Sequence, residues 1–355
     1  MDRSKPHLRL EGLDALRGVA AAAVMLYHYS AWHRNASAVG LVPHGAAVWF
    51  PYGRFGVELF FIISGFVIFM TLERTPSLYD FATARFARLY PAFLASMLAT
   101  IAVTSSLHYA REQVNIVQIL ANFSMFAQRF GEHDIDASYW TLWYELGFYL
   151  LAAMCCLVMR WREPELPCTA WLATEFLLRE CAGATSMQPI MQLTHTSFAH
   201  LFIIGIMLYR LHTGRGTPLT VPLLLSSIAM ALFGPPLGSN WVTMIGYAGA
   251  VAGLASLVWL ATTRYGGFLR SPPLLFLGRI SYPLYLAHQN AGDAVLAKLE
   301  TAGINPNVAI LITMALAVLA AWMISTFVEW PAQHWLRARF ASYRGQFGRV
   351  SNYAV

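Results

Sequence analysis

The chain has 355 residues, of which 57% are hydrophobic and only 12% are charged, and its mean hydropathy is +0.50. Soluble domains carry about 25% charged residues, so a soluble fold of this composition would leave too much apolar surface in water. The formal net charge of +6 lies mostly on arginines that flank apolar segments, which indicates membrane topology rather than nucleic-acid binding.

Apolar segments of about 20 residues, each able to cross about 30 Å of hydrocarbon, recur along the chain. They predict an all-α polytopic integral membrane protein with about ten transmembrane helices and one short re-entrant or interfacial helix at Val114–Phe126. Residues 1–335 are expected to form a single membrane-embedded domain, followed by a basic cytoplasmic tail at 336–355. The predicted spans are Leu13–Trp32, Phe55–Leu72, Phe86–Thr104, Tyr139–Met159, Pro167–Cys181, Phe198–Leu211, Pro218–Phe233, Val242–Ala261, Leu274–Leu296 and Val308–Val328.

Basic clusters predict the orientation, because short cytoplasmic loops concentrate Lys and Arg. With an internal N-terminus and ten spans, all six clusters fall on the cytoplasmic side, and both termini are cytoplasmic. The span at Pro167–Cys181 is the weakest, since it contains Glu175, Arg179 and Glu180. The basic clusters are Arg3/Lys5/Arg9, Arg74/Arg85/Arg88, Arg160/Arg162, Arg210/Arg215, Arg264/Arg270/Arg279 and Arg337/Arg339/Arg344/Arg349.

The first predicted span contains three ionisable residues, Asp14, Arg17 and His28. Such residues cost at least about 2.5 kcal/mol each near the centre of a membrane and usually mark function. Helical geometry puts all three on one face, with His28 about 16 Å further along the axis than Arg17. One interpretation is that these three residues form a catalytic group. The alternative is an Asp14–Arg17 pair at the interface and a His28 that bonds a neighbouring carbonyl.

A pair of arginines, Arg85 and Arg88, precedes the third predicted span at a spacing that puts them on one helical face. Guanidinium groups form planar forks that fit phosphate oxygens, so the pair is a candidate site for a pyrophosphate or ribose phosphate. The alternative is anchoring to anionic lipid.

Further polar residues interrupt other predicted spans and are candidates for binding substrate. They have structural alternatives, since small residues allow close helix packing and aromatic residues form an interfacial belt. No pair of histidines has convincing metal geometry, so no metal is predicted. The candidates are Glu58, Ser64, Trp140, Glu145, Tyr282, Tyr285 and His288. The histidines interpreted as structural or solvent-facing are His7, His33, His44, His108, His133, His195, His200, His212 and His334.

Six motifs together resemble the acyltransferase-3 family of membrane acyltransferases. They occur in the family's order and cover the chain from Leu13 to Pro331. Glu58 stands where family members more often carry Asp. The motifs are DALRGVA followed by YH, GVELFFIISGF, RFARLYP, WTLWYE, LGRISYPLYLAH and EWP.

The resemblance implies transfer of an acyl group, commonly acetyl, from cytoplasmic acyl-CoA to a hydroxyl of a surface or exported carbohydrate, in a bacterial inner membrane. Asp14, Arg17 and His28 would be catalytic, with His28 as general base or as a covalent acyl carrier, and Arg85 and Arg88 would bind acyl-CoA. The alternative function is a transporter or flippase of a lipid-linked sugar or small anion. The expected partners are the bilayer and a glycoconjugate acceptor but no nucleic acid, and a homo-oligomer is compatible with the sequence.

Overall fold

The computed structural model describes residues 10–32, 50–109, 114–161, 163–180, 188–233 and 244–350, which are mostly helical and include no strand. Short 3₁₀ or π-helical turns extend several of the helices. The helices are α1 Glu11–Tyr27, α2 Gly56–Leu72, α3 Leu78–Ser106, α4 Ile116–Asn122, α5 Trp140–Ala153, α6 Glu165–Glu180, α7 Gln188–Leu193, α8 Ala199–His212, α9 Thr220–Met230, α10 Met244–Ala261, α11 Pro272–Ala287, α12 Gln289–Thr301, α13 Pro306–Ile324 and α14 Trp330–Val350.

The chain divides into two compact units, and the first is built around α2 and α8. It comprises the described residues of Met1–Val24, Tyr52–Arg74 and Tyr144–Arg279. α2 and α8 approach backbone to backbone: a Cβ added to Gly65 would lie 2.1 Å from the Phe202 carbonyl oxygen, and one at Gly205 would lie 2.0 Å from that of Ile62. Small residues permit such contact between apolar helices, so the two glycines determine how this unit packs.

The second unit is built around the long helix α3 and comprises the described residues of Met25–Pro51, Thr75–Trp143 and Ile280–Val355. The Ser77 hydroxyl caps the start of α3 by accepting from the Asp80 N–H at 3.2 Å. Its 29 residues correspond to about 43 Å, which exceeds the thickness of a bilayer core. α3 packs against α12, α13 and α14. These contacts hold the helix that begins directly after His288.

Five helical segments among the described residues are long and apolar enough to cross a membrane, and each overlaps a predicted span. The all-helical prediction is therefore confirmed for the described residues, which include five candidate membrane spans, whereas ten spans and cytoplasmic termini stay predictions. Ala199–His212 and Thr220–Phe233 coincide with two more predicted spans but are shorter. The five segments are Pro51–Leu72, Leu78–Ser106, Ala137–Val158, Met244–Ala261 and Pro306–Ser342.

One predicted span and the predicted tail differ from the helices, whereas the short helix predicted at Val114–Phe126 agrees with them. Leu274–Leu296 is two helices, α11 and α12, separated at His288. Within Val114–Phe126 the helix α4 has only 7 residues, about 11 Å, which is too short to cross a bilayer. Residues 336–350 of the predicted tail continue α14. Residues 1–9, with the basic cluster Arg3/Lys5/Arg9, and residues 351–355 lie outside the described part of the chain.

Candidate active site

His28 stands where the first helix changes its geometry. α1 is regular as far as Tyr27, and His28–Trp32 then form a π-helical turn. π-helical turns are rare in proteins, and those that do occur often lie at functional sites. The half-buried His28 ring lies against the ring of His288, with 4.9 Å between the centroids. Its Nδ1 is 2.7 Å from Nε2 of His288, which is a hydrogen-bonding distance.

His288 occupies the break between α11 and α12. Its side chain is buried, and its Nδ1 lies 2.7 Å from the backbone carbonyl oxygen of Tyr285. Pro283 lies inside α11 and has no N–H to donate to the helix, which weakens the hydrogen-bond ladder shortly before the break. The break therefore holds an imidazole between a backbone acceptor and the ring of His28.

These two contacts determine which ring nitrogens carry protons. A carbonyl oxygen can only accept, so Nδ1 of His288 donates to Tyr285 and, in the neutral ring, Nε2 of His288 is an acceptor. Nδ1 of His28 must then donate to that nitrogen. The neutral His28 ring consequently carries its lone pair on Nε2. An imidazole whose tautomer is fixed in this way has the form required of a general base.

Tyr29 secures the backbone of His288. Its hydroxyl donates to the His288 carbonyl oxygen at 2.6 Å, and the ring is almost completely buried. The space for that hydroxyl exists because residue 292 is a glycine: a Cβ there would lie 2.0 Å from the Tyr29 oxygen. Tyr29 and Gly292 together hold the helix break in place.

Asp136 caps the start of α12 from a distant loop. Its Oδ2 accepts from the Asn290 N–H at 3.0 Å, and its Oδ1 accepts from the N–H and hydroxyl of Ser138. Asp136 lies outside the candidate span Ala137–Val158. Burial raises the pKa of this carboxyl to about 7, although the hydrogen bonds from Ser138 and Asn290 oppose the shift; the charge of Asp293 adds to it. This cap supports the helix end beside His288.

Tyr285, predicted to bind substrate, faces the beginning of α5. Its hydroxyl lies 3.0 Å from the Thr141 hydroxyl oxygen and donates to the Ser138 carbonyl at 3.4 Å. Trp140 is the first residue of α5 and is half-buried, and Tyr282 is buried one turn before Tyr285 on α11. The second unit thus contains four of the seven predicted substrate-binding residues: Trp140, Tyr282, Tyr285 and His288.

Arg85 and Arg88 also belong to the second unit. Both are half-buried in the early turns of α3, and the Arg85 guanidinium lies over the Phe81 ring at 5.8 Å from its centroid. α3 packs against α12. The predicted acyl-CoA site and the His28–His288 pair are therefore carried by one packed group of helices.

Asp14 and Arg17, the other two predicted catalytic residues, lie in the first unit. Both are half-buried on α1. The backbone of this turn touches α11, since a Cβ added to Gly278 would lie 2.4 Å from the Asp14 carbonyl oxygen. The structure places Asp14 and Arg17 on the helix that leads to His28.

The remaining predicted substrate-binding residues also lie in the first unit. Glu58 is buried in the first turn of α2, with no hydrogen-bond partner for its Oε2 among the described residues. Ser64, half-buried, precedes the packing residue Gly65. Glu145 accepts a hydrogen bond from the Tyr149 hydroxyl one turn later on α5.

A family model described as an acyltransferase domain, that of the acyltransferase-3 family, matches residues 10–326 and so covers nearly the whole chain. The chain belongs to the acyltransferase-3 family. Comparisons with curated proteins and with solved structures gave no match. The family supports a membrane acyltransferase, and the match includes both histidines of the site.

Sequence reasoning missed several residues that shape this acyltransferase site: Tyr29, Thr141, Gly292 and the Asp136–Asn290 contact. Asp136 carries a recognisable signal, because an Asp or Ser directly before an apolar helix is a typical N-cap. Its contact with Asn290 joins residues 154 positions apart and has no local signature. Among the described residues, no group of three or more His, Cys, Asp or Glu side chains is arranged to hold a metal ion.

Proposed function

We propose that this acyltransferase moves an acyl group, acetyl in the simplest case, from cytoplasmic acyl-CoA to a hydroxyl of a surface or exported carbohydrate. The membrane would be the inner membrane of a bacterium. The observation that carries the proposal is the ordered hydrogen-bond chain from Tyr285 through His288 to His28. It gives a half-buried His28 a fixed tautomer with its lone pair on Nε2, which is the form of the group that acyl transfer requires.

The reaction balances with this one base. Nε2 of His28 takes the proton of the acceptor hydroxyl as its oxygen attacks the thioester carbonyl carbon. The C–S bond breaks, and the coenzyme A thiolate leaves with the proton from the imidazolium. His288 stabilises the imidazolium by continuing to accept from its Nδ1.

A covalent route uses the same atom. Nε2 of His28 attacks the thioester carbon, the C–S bond breaks and coenzyme A leaves as its thiolate. The acceptor hydroxyl then attacks the acyl-imidazolium, the C–N bond breaks, and the proton released by the hydroxyl neutralises the thiolate. In this route the fixed tautomer presents a nucleophile instead of a base. The two routes differ in whether acyl-His28 accumulates when no acceptor is present.

The donor would bind through its phosphates at Arg85 and Arg88, with Arg17 as a further candidate. Arginine forks bind phosphate oxygens in two-point contacts. Asp14 and Arg17 are proposed as further catalytic residues on the first helix. The candidates for binding the acceptor are Glu58, Ser64, Trp140, Glu145, Tyr282 and Tyr285, whereas both ring nitrogens of His288 are already engaged by Tyr285 and His28.

The experiment that tests this function uses membranes with and without the full chain. They are incubated with acetyl-CoA that is radiolabelled in the acetyl group, and label in extracted carbohydrate is measured together with free coenzyme A. The proposal predicts that both appear only when the chain is present. A transporter would leave acetyl-CoA intact, and that result would reject the proposal.

A further inference from the structure

A cavity of about 250 Å³ lies within the first unit and is not used by the proposed reaction. All its lining residues belong to the stretches Tyr52–Arg74 and Tyr144–Arg279. Its walls are formed by α2, by α5 and the π-helical turn that extends it, by the first half of α6 and by α8. Two of the candidate membrane spans, Pro51–Leu72 and Ala137–Val158, therefore contribute to the cavity.

The lining of the cavity is apolar and contains no charged residue. It combines aromatic, aliphatic and proline side chains with three free cysteines, Cys155, Cys156 and Cys168. On one side the rings of Phe148 and Trp171 stack with 6.1 Å between their centroids. Cavities lined in this way stay free of water and bind apolar molecules instead. The lining therefore indicates a hydrocarbon ligand.

The wall formed by α6 is fixed in position by a buried ion pair. Oε1 of Glu165 accepts from Nε of Arg210 at 3.2 Å and from the Thr220 hydroxyl at 2.7 Å. Both charged side chains are buried, and separating such a pair would leave a charge without compensation. Pro164 and Pro167, which lie on either side of Glu165 in the chain and line the cavity, are consequently held in place.

The mouth of the cavity lies where the chain reverses after α5 and its π-helical turn. Arg160 has a φ of 54°, a left-handed conformation that is common directly after helices. The N–H of Trp161 then donates to the Cys155 carbonyl at 3.0 Å, and Trp161 lines the cavity. Trp161 and Leu151, another lining residue, are 41% and 38% exposed. The cavity therefore opens at the surface of the unit.

The surroundings of the cavity determine which apolar molecule is available to it. Its walls include two candidate membrane spans, and the medium beside such helices consists of the acyl chains of lipids. Next to the mouth, residues 160–163 read RWRE, with two arginines and one glutamate. A net positive charge at the edge of a membrane span attracts the phosphate of a lipid headgroup. The apolar lining and the charge beside it thus match the two parts of a phospholipid.

We propose that the cavity binds one acyl chain of a membrane phospholipid, with the lipid phosphate beside Arg160. The acyl chain fills a space that excludes water, and each methylene group that it buries favours binding. This site differs from the proposed donor site at Arg85 and Arg88, which belongs to the second unit. The inference is independent of the proposed acyl transfer.

The test fills the cavity from two different walls. Ala152→Leu adds carbon atoms on α5, and Ala170→Leu adds them on α6; both alanines line the cavity. Ala315→Leu is the matched control, because Ala315 is exposed on α13 in the second unit and does not line the cavity. Arg160→Gln tests the phosphate contact separately.

Each full-length protein is purified and washed in detergent, and the phospholipid that remains bound is measured by mass spectrometry. The unfolding temperature is then measured with and without added phosphatidylglycerol. We expect the wild type and Ala315→Leu to retain phospholipid and to unfold at a higher temperature when it is added, because a ligand that binds only the folded state stabilises it. Both cavity-filling variants should retain about tenfold less, the effect of displacing roughly two methylene groups, and should gain no stability from the lipid.

Equal retention of phospholipid by the wild type and by the folded cavity-filling variants would overturn the inference. Bound detergent without phospholipid in the wild type would overturn it as well. Displacement of the phospholipid by a long-chain acyl-CoA would assign the cavity to a different ligand and would also contradict the inference. Equal retention by Arg160→Gln and the wild type would reject the placement of the phosphate.

Discussion

Nδ1 of His28 donates to Nε2 of His288 over 2.7 Å, and this contact joins two helices whose histidines are 260 positions apart. His288 is itself oriented by the carbonyl of Tyr285. In hydrolases with a histidine–acid pair, a buried partner fixes the tautomer of the reacting imidazole, and the His28–His288 pair has the same property. Here an imidazole and a backbone carbonyl fill that role.

The orientation of His28 should depend on the Nε2 atom of His288. In His288→Asn the side-chain amide can still donate to the Tyr285 carbonyl, but the acceptor for His28 is lost. We expect the rate of acetyl transfer to fall about 100-fold, because the tautomer of His28 is no longer fixed. The affinity for acetyl-CoA, measured by equilibrium binding, should not change.

A purely structural role for His288 gives the opposite pattern. His288→Asn would then lower the unfolding temperature in detergent and leave the turnover of the folded fraction unchanged. The dependence of turnover on pH separates the two as well, since a mispositioned base shifts the pH profile and a loss of folded protein does not.

Gly292 should be intolerant of a methyl group because of Tyr29. A Cβ at this position would lie 2.0 Å from the Tyr29 hydroxyl, so Gly292→Ala should displace the tyrosine and destabilise the break at His288. The control is Gly253→Ala, another helical glycine, where a Cβ meets nothing within 4 Å. Thermal unfolding should show a lower midpoint for the first variant and an equal or higher one for the second, since Ala is favoured over Gly by about 1 kcal/mol in a helix.

The sequence predicted the helical membrane fold well, because apolar length and composition are local properties. It also indicated His28, Tyr285 and His288, since polar residues within apolar segments are costly. It could not show that His28 meets His288, because nothing in either segment encodes a contact 260 positions away. The break at His288 was missed for a related reason: Leu274–Leu296 is apolar enough to suggest one span, while Tyr29 and Asp136 hold the break from distant parts of the chain.

His200 shows the same limit in the first unit. A single histidine near an apolar helix is usually structural, and its sequence neighbours contain no acidic partner. The partner Glu175 lies 25 positions earlier, in a helix whose charges made it the weakest of the predicted spans. Two of those charges, Glu175 and Arg179, form an ion pair in the structure, whereas Glu180 is exposed.

Arg85 and Arg88 should determine the affinity for acyl-CoA. Replacement of either by Gln removes one charged fork, and we expect acetyl-CoA binding to weaken about tenfold or more, the usual effect of losing one hydrogen bond to a charged group. The control is Arg215→Gln, because Arg215 is exposed and paired with Glu73 at 2.8 Å. Equal affinities in all three variants would indicate that the arginine pair anchors the protein to lipid.

The contribution of Asp136 to the stability of the protein should fall as the pH rises from about 4 to about 7. Burial raises the pKa of the Asp136 carboxyl from 3.8 to about 7, so in this range the folded state binds more protons than the unfolded state. The contribution is fully present below the unfolded pKa and is lost as the pH rises through the folded one. Burial raises the pKa of Asp134 to about 6, which acts in the same direction.

The unfolding temperature of the wild type and of Asp136→Asn, measured across this pH range in detergent, tests the assignment. The variant cannot ionise at position 136, so its unfolding temperature should depend less on pH than that of the wild type. Identical pH slopes in the two proteins would show that Asp136 does not titrate in this range.

The most direct test of the central claim is the rate of acetyl transfer by His28→Asn. An Asn amide at the position of Nδ1 can still donate to His288, so the variant removes the reacting Nε2 and preserves the contact between the helices. The account predicts a rate about 1,000-fold below that of the wild type, with acetyl-CoA affinity and unfolding temperature retained. A folded His28→Asn protein that transfers acetyl groups at the wild-type rate would contradict it.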